Sequence, residues 1–204
     1  MNKINHFFDK LLETVPGGVF GIISMLIGIS SLFISILNYP GYSMVLLYIS
    51  NLGIGPGLSA PIFNIGIIVT GFIAIPFYVY MGRVMKTEGV NEKYRKNSIT
   101  LAIIGCISLS LVGCFPAYNL ILLLFHGSFA ALFFLSSLIC SIAFSYLMWN
   151  DTRFPKVQSY FGVVVGGIYA IYCVTLQPII EWVCFFALVS WVLETSIFML
   201  VKTL

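Results

Sequence analysis

The sequence predicts an all-α, polytopic membrane protein: one bundle of six transmembrane helices, both termini cytoplasmic, with a long structured first external loop. Three observations predict it. Of 204 residues, 60% are hydrophobic and 8% charged, too few charges to clothe a water-soluble globule. The apolar residues gather into runs of about 20, the length that crosses hydrocarbon. All ten Lys and Arg residues fall in segments that six such runs place on one side.

The N-terminal stretch MNKINHFFDK carries mixed charge, and no small-residue cleavage site closes the first apolar run, so that run is expected to stay as a helix. It covers residues 19–37, after Pro16-Gly17-Gly18, and the turn-forming cluster Asn38-Tyr39-Pro40-Gly41 ends it. The second span is 62–82. A polar stretch follows at 83–96 with Arg83, Lys86, Glu88, Glu92, Lys93, Arg95 and Lys96. The third span, 98–115, stops at Pro116, and the fourth, 127–149, stops at NDTRFPK. Residues 117–126 between them are too apolar for a solvated loop; they extend the fourth helix outward or lie along the interface. The fifth span is 157–176, Gln177-Pro178 breaks it, and the sixth is 181–201.

With the N-terminus inside, Lys3, Lys10, the five basic residues of 83–96, Arg153, Lys156 and Lys202 all lie on the cytoplasmic side of the cell membrane. The opposite segments, 38–61, 116–126 and 177–180, hold none. The net charge of +3 is therefore read as a topology signal, and nucleic acid is not an expected partner. Arg83 and Lys86 snorkel from the second helix, while Tyr146 and Trp149 mark the inner end of the fourth. Cys106, Cys114, Cys140, Cys173 and Cys184 show no CxxC spacing, which disfavours zinc and favours a packing role, with one outer disulfide left open.

The unusual segment is 39–64, YPGYSMVLLYISNLGIGPGLSAPIFN: long, uncharged, and too rich in Gly and Pro for a membrane helix. It is expected to form a short helix at 44–49 against the outer ends of the bundle, then an irregular link, as a lid or pocket wall. Its landmarks YPGYS, ISNLG and PIFN, with Gly71, then GCFP at 113–116 and His126, resemble the pattern of domain of unknown function 998. That family is similar in turn to the FRAG, DRAM and Sfk group of six-helix membrane proteins. The resemblance covers 19–201 and implies a six-helix bundle with a loose link to lipid handling; it implies no reaction. Asn51 stands where the ISDLG-like form of the motif carries an acidic residue, which weakens any proposal for a carboxylate there.

Ionisable and polar groups within spans are costly, so each is a candidate. Asn51, Asn64, His126 and Glu181 map to the outer side and are able to meet at one depth, as a lipid head-group, metal or proton site. The alternative is that His126 and the two asparagines satisfy loop carbonyls while Glu181 faces water at a helix N-terminus. Glu194 lies 13 positions beyond Glu181, ~20 Å deeper. It is either a proton or cation site or a carboxyl group tied to Ser or Thr on a neighbouring helix. No GxSxG, HExxH, Walker loop, Rossmann glycine pattern or paired heme histidines occur, so no catalytic residue, metal or cofactor is expected. Gly66, Gly71, Gly162, Gly166 and Gly167 read as helix-packing positions. The leading expectation is a non-enzymatic module whose partners are membrane lipids, other membrane proteins or a second copy. A small proton-coupled transporter using Glu194, and a lipid-modifying enzyme using His126 and Glu181, are the alternatives.

Overall fold

The computed structural model describes residues 3–86 and 90–203, and Glu88 of the charged loop lies outside them. Six helices are long and apolar enough to cross a membrane: α2 (Gly17–Leu37), α3 (Ser59–Val84), α4 (Glu92–Cys114), α5 (Leu120–Asn150), α6 (Lys156–Thr175) and α7 (Pro178–Val201). A helix α1 (Lys3–Thr14) precedes them.

Local chemistry sets the boundaries. Pro16 and Pro155 directly precede α2 and α6, and Pro178 occupies the first turn of α7, where its missing N–H costs nothing. Asn91 Oδ1 caps α4 by accepting from the N–H groups of Lys93 (3.0 Å) and Tyr94 (3.1 Å). Asn119 Oδ1 does the same for α5 through Leu122 N–H at 2.9 Å. That cap settles the segment 117–126: α5 begins at Leu120, so residues 120–126 extend the fourth helix, and Leu120, Ile121 and Leu124 stand exposed on it. At 31 residues, about 46 Å at 1.5 Å per residue, α5 exceeds the hydrocarbon thickness.

The spans pack in chain order, each against the next, and α7 returns to α2 to close a ring. Small residues set the approach. A Cβ on Gly66 of α3 would overlap Ser31 of α2, and one on Gly71 would lie 2.5 Å from the carbonyl oxygen of Cys106 on α4. Gly162 and Gly166 of α6 are filled in the same way by Ser145 and Ile142 of α5, whereas Gly167 faces open space. The core at the charged end is built around Phe77, Met81, Phe144, Leu147, Phe154 and Trp191.

Basic groups at that end tie chain segments together. The buried Arg95 donates to the Gly82 carbonyl at 2.6 Å and grips Glu92 through two nitrogens, at 2.8 and 2.9 Å. Arg153 binds Asp151 and the Val84 carbonyl, and Arg83 pairs with Asp9 of α1 at 2.8 Å. All five cysteines are free; Cys106, Cys140 and Cys184 are buried.

Two expectations need correcting. The short helix expected at 44–49 is absent there; a 3-10 helix forms instead over Ile49–Ile54, and 44–46 form a turn. Helix formation before Ile49 loses to tight turns, and Gly53 and Gly55 keep the later segment short. The charged stretch 83–96 is not all loop, because α4 starts at Glu92.

Candidate functional site

Segment 38–58 crosses the end of the ring that has no Lys or Arg, as a strap. Gly57 turns it with φ at +57°, a conformation that a side chain would strain, and leads into α3. Three polar contacts shape it locally. Asn51 Oδ1 accepts from Tyr48 N–H at 2.7 Å, Asn64 Nδ2 donates to the Gly53 carbonyl at 2.9 Å, and the Tyr42 hydroxyl donates to the Tyr48 carbonyl at 2.8 Å. Burial pushes the Tyr42 phenol above its ordinary range, and the charge of Glu181 pushes it the same way, so it remains a neutral donor.

Two further bonds fasten the strap to the far side of the ring. The Tyr48 hydroxyl donates to the Leu176 carbonyl at 2.7 Å, where Leu176 ends α6 in a left-handed conformation. The Ile49 N–H donates to Glu181 Oε2 at 2.7 Å, across 132 residues of chain. Beneath Tyr48, Ile49 and Ser50 lies a cavity of about 300 Å³ to which all six membrane helices contribute. Its walls are aliphatic and aromatic: Leu32 from α2, Phe63 from α3, Val112 from α4, Phe133 from α5, Tyr172 from α6 and Phe185 from α7. A second space of about 40 Å³ lies beside it towards the middle of the bundle, sharing Met25, Thr70, Leu109, Phe133 and Leu188.

His126 and Glu181 both border the larger cavity, and each is 8% exposed. His126 Nδ1 lies 3.1 Å from the Phe115 carbonyl oxygen, an acceptor, so that nitrogen carries a hydrogen; the Val112 carbonyl also bonds the ring. The ring thereby fastens the α4–α5 turn. Among the described residues no hydrogen bond joins His126 to Glu181. Glu181 Oε1 has no hydrogen-bond partner among them, and no Lys or Arg lines the cavity. Asn51 and Asn64 do not line it, because their side chains are spent on the strap. An ionised carboxylate so placed has lost water without gaining a counter-charge, a penalty of several kcal/mol.

Glu194 is elsewhere. It accepts from Gln158 Nε2 of α6 and borders neither cavity. Gln158 Oε1, Glu194 Oε2 and Thr195 Oγ1 are buried there without a hydrogen-bond partner. Of the two readings of Glu194, the one that ties it to Ser or Thr on a neighbouring helix finds an amide there instead. Among the described residues no three His, Cys, Asp or Glu side chains converge as a metal site would require.

A family model described as protein of unknown function, DUF998, matches residues 22–198. The chain belongs to the DUF998 family. The match runs from within α2 to within α7, so it holds the strap, the cavity and both deep carboxyl groups, and omits α1. No curated protein and no solved structure matches. In this DUF998 chain the site residues that sequence reasoning passed over are Tyr48, Tyr169, Tyr172, Phe133 and Phe134. A signal existed for one pair: Tyr169 and Tyr172 are three apart and share a face of α6.

Proposed function

We propose that this DUF998 protein is a lipid-binding module of the cell membrane, with both termini cytoplasmic, whose cavity takes a hydrocarbon segment from the outer leaflet. The observation that carries the reading is the cavity itself. At about 300 Å³ it is about twice the size of an engineered apolar cavity that stays dry and accepts benzene, and it reaches the lower range of ligand sites. Hydrocarbon gains dispersion contacts there that an empty space forfeits. Glu181, Tyr48 and Ser50 at the strap end give the space a polar margin, the arrangement an amphiphile needs. The absence of Lys and Arg from strap and turns at that end supports its placement outside.

The test is native mass spectrometry of lipids retained by purified protein, beside an Ala130→Phe variant. Ala130 lines the cavity from α5 and takes no part in the strap's side-chain hydrogen bonds, so a phenyl group there adds bulk to the cavity lining. The wild type should retain lipid through delipidating washes and the variant should lose it. Equal retention by both, with both folded, refutes an internal site.

A further inference from the structure

Resting on that lipid-binding reading, we propose that the cavity selects an amphiphile whose head group is a protonated amine, with Glu181 as its receptor and the hydrocarbon tail in the apolar part of the cavity.

Four features define the head-group end. Glu181 is more than nine-tenths buried and borders the cavity, so its free oxygen is a built acceptor and not a surface charge. Oε2 is already engaged by Ile49 N–H at 2.7 Å, which fixes the carboxyl group and leaves Oε1 for a ligand. No Lys or Arg lines the cavity and the His126 ring there is bonded to main-chain carbonyls, so a cation carried by the occupant would supply the counter-charge that Glu181 lacks. Tyr48, Tyr172 and Phe185 line the same space, and aromatic rings are the side chains that attract ammonium groups.

The same features argue against other head groups. A carboxylate or phosphate would set two anions together in an apolar space with no cation between them. A hydroxyl satisfies Oε1 by one bond without supplying charge, so it should bind more weakly than an ammonium group. Neutral His126 offers no competing anion site, because its Nδ1–H is committed to the Phe115 carbonyl and Nε2 is then a lone-pair acceptor.

Decylamine, decanol and decanoate share one tail and differ only at the head. Each is titrated into delipidated protein in a neutral maltoside detergent at pH 7, and occupancy is read by native mass spectrometry. The expected order is decylamine first, by about tenfold or more over decanol, the size of effect that a charge-assisted bond confers, with decanoate last. Glu181→Gln retains an acceptor for Ile49 N–H and should shrink the amine preference to about one. Equal binding of the three probes to the wild type overturns the head-group proposal and leaves the lipid-binding reading standing. Binding of none of them overturns both. If Glu181→Gln does not yield folded protein, the ranking on the wild type alone still decides.

Discussion

Replacing Glu181 by Leu should unfasten the strap and do little else to the bundle. The bond lost is the one from Ile49 N–H to Glu181 Oε2, at 2.7 Å and buried. Hydrogen bonds to charged groups contribute about 1.5–3 kcal/mol, and a buried amide left without a partner falls in the same range. The strap keeps the Tyr48–Leu176 and Asn64–Gly53 bonds, so it should open more often without detaching. At RT of about 0.59 kcal/mol that loss multiplies the open population by about 10-fold to 150-fold. Hydrogen–deuterium exchange of peptides covering 48–54 reads this directly, since exchange from a locally opened state follows its population. Exchange there should accelerate by that factor while peptides from α3 and α4 stay protected. Glu181→Gln, which keeps a neutral acceptor, should give only a several-fold change. Unaltered exchange at 48–54 in a folded Glu181→Leu protein would refute the idea that this carboxyl group holds the strap.

Three further outcomes are expected. Gly71→Ala should lower the melting temperature, because its Cβ meets the Cys106 carbonyl and overpacking of this kind costs about 1–3 kcal/mol, whereas Gly167→Ala faces open space and should be neutral or stabilising; reversed melting temperatures would contradict the packing. At Asp151, burial pushes the carboxyl group up but three hydrogen bonds and the charge of Arg153 push it further down, below its usual value. The stability it contributes is therefore complete above the unfolded pKa of about 3.9 and disappears as pH falls through the lower folded value, so acid melts of Asp151→Asn should show a shallower decline than the wild type. In a Cys173→Ser background, a membrane-impermeant maleimide added to intact cells should label Cys114, exposed at the end of α4, and spare the buried Cys106, Cys140 and Cys184; labelling of Cys114 only after permeabilisation would reverse the orientation.

Six spans were legible because each depends on a property summed over about 20 residues, which local errors hardly disturb. Boundaries depend on single groups. Hydropathy leaves open whether 117–126 extends the fourth helix or lies along the interface, because Leu120 to Phe125 are apolar in either case, and the Asn119 cap that decides it is one hydrogen bond. The amphipathic pattern of α1 lies in Phe7, Phe8, Leu11 and Leu12, and mixed charge obscures it. Asn51, Asn64, His126 and Glu181 were grouped because they share a depth. Depth does not say whether a side chain faces its own backbone or a neighbour, and here the two asparagines and His126 bond main-chain groups close in sequence. Glu181 alone reaches a distant segment, a pairing that no local pattern encodes.

The closed ring also bears on biosynthesis. Because each span after the first packs on the one made before it, α3 to α6 have a neighbour as soon as they enter the membrane, while the seam between α2 and α7 waits for the last helix. The strap is translated early and its fastener late, 132 residues apart. At about 5–20 residues per second, Ile49 spends about 7–26 s without Glu181. During that interval the nascent bundle is an open crescent, and its interior closes only when α7 seats between α6 and α2.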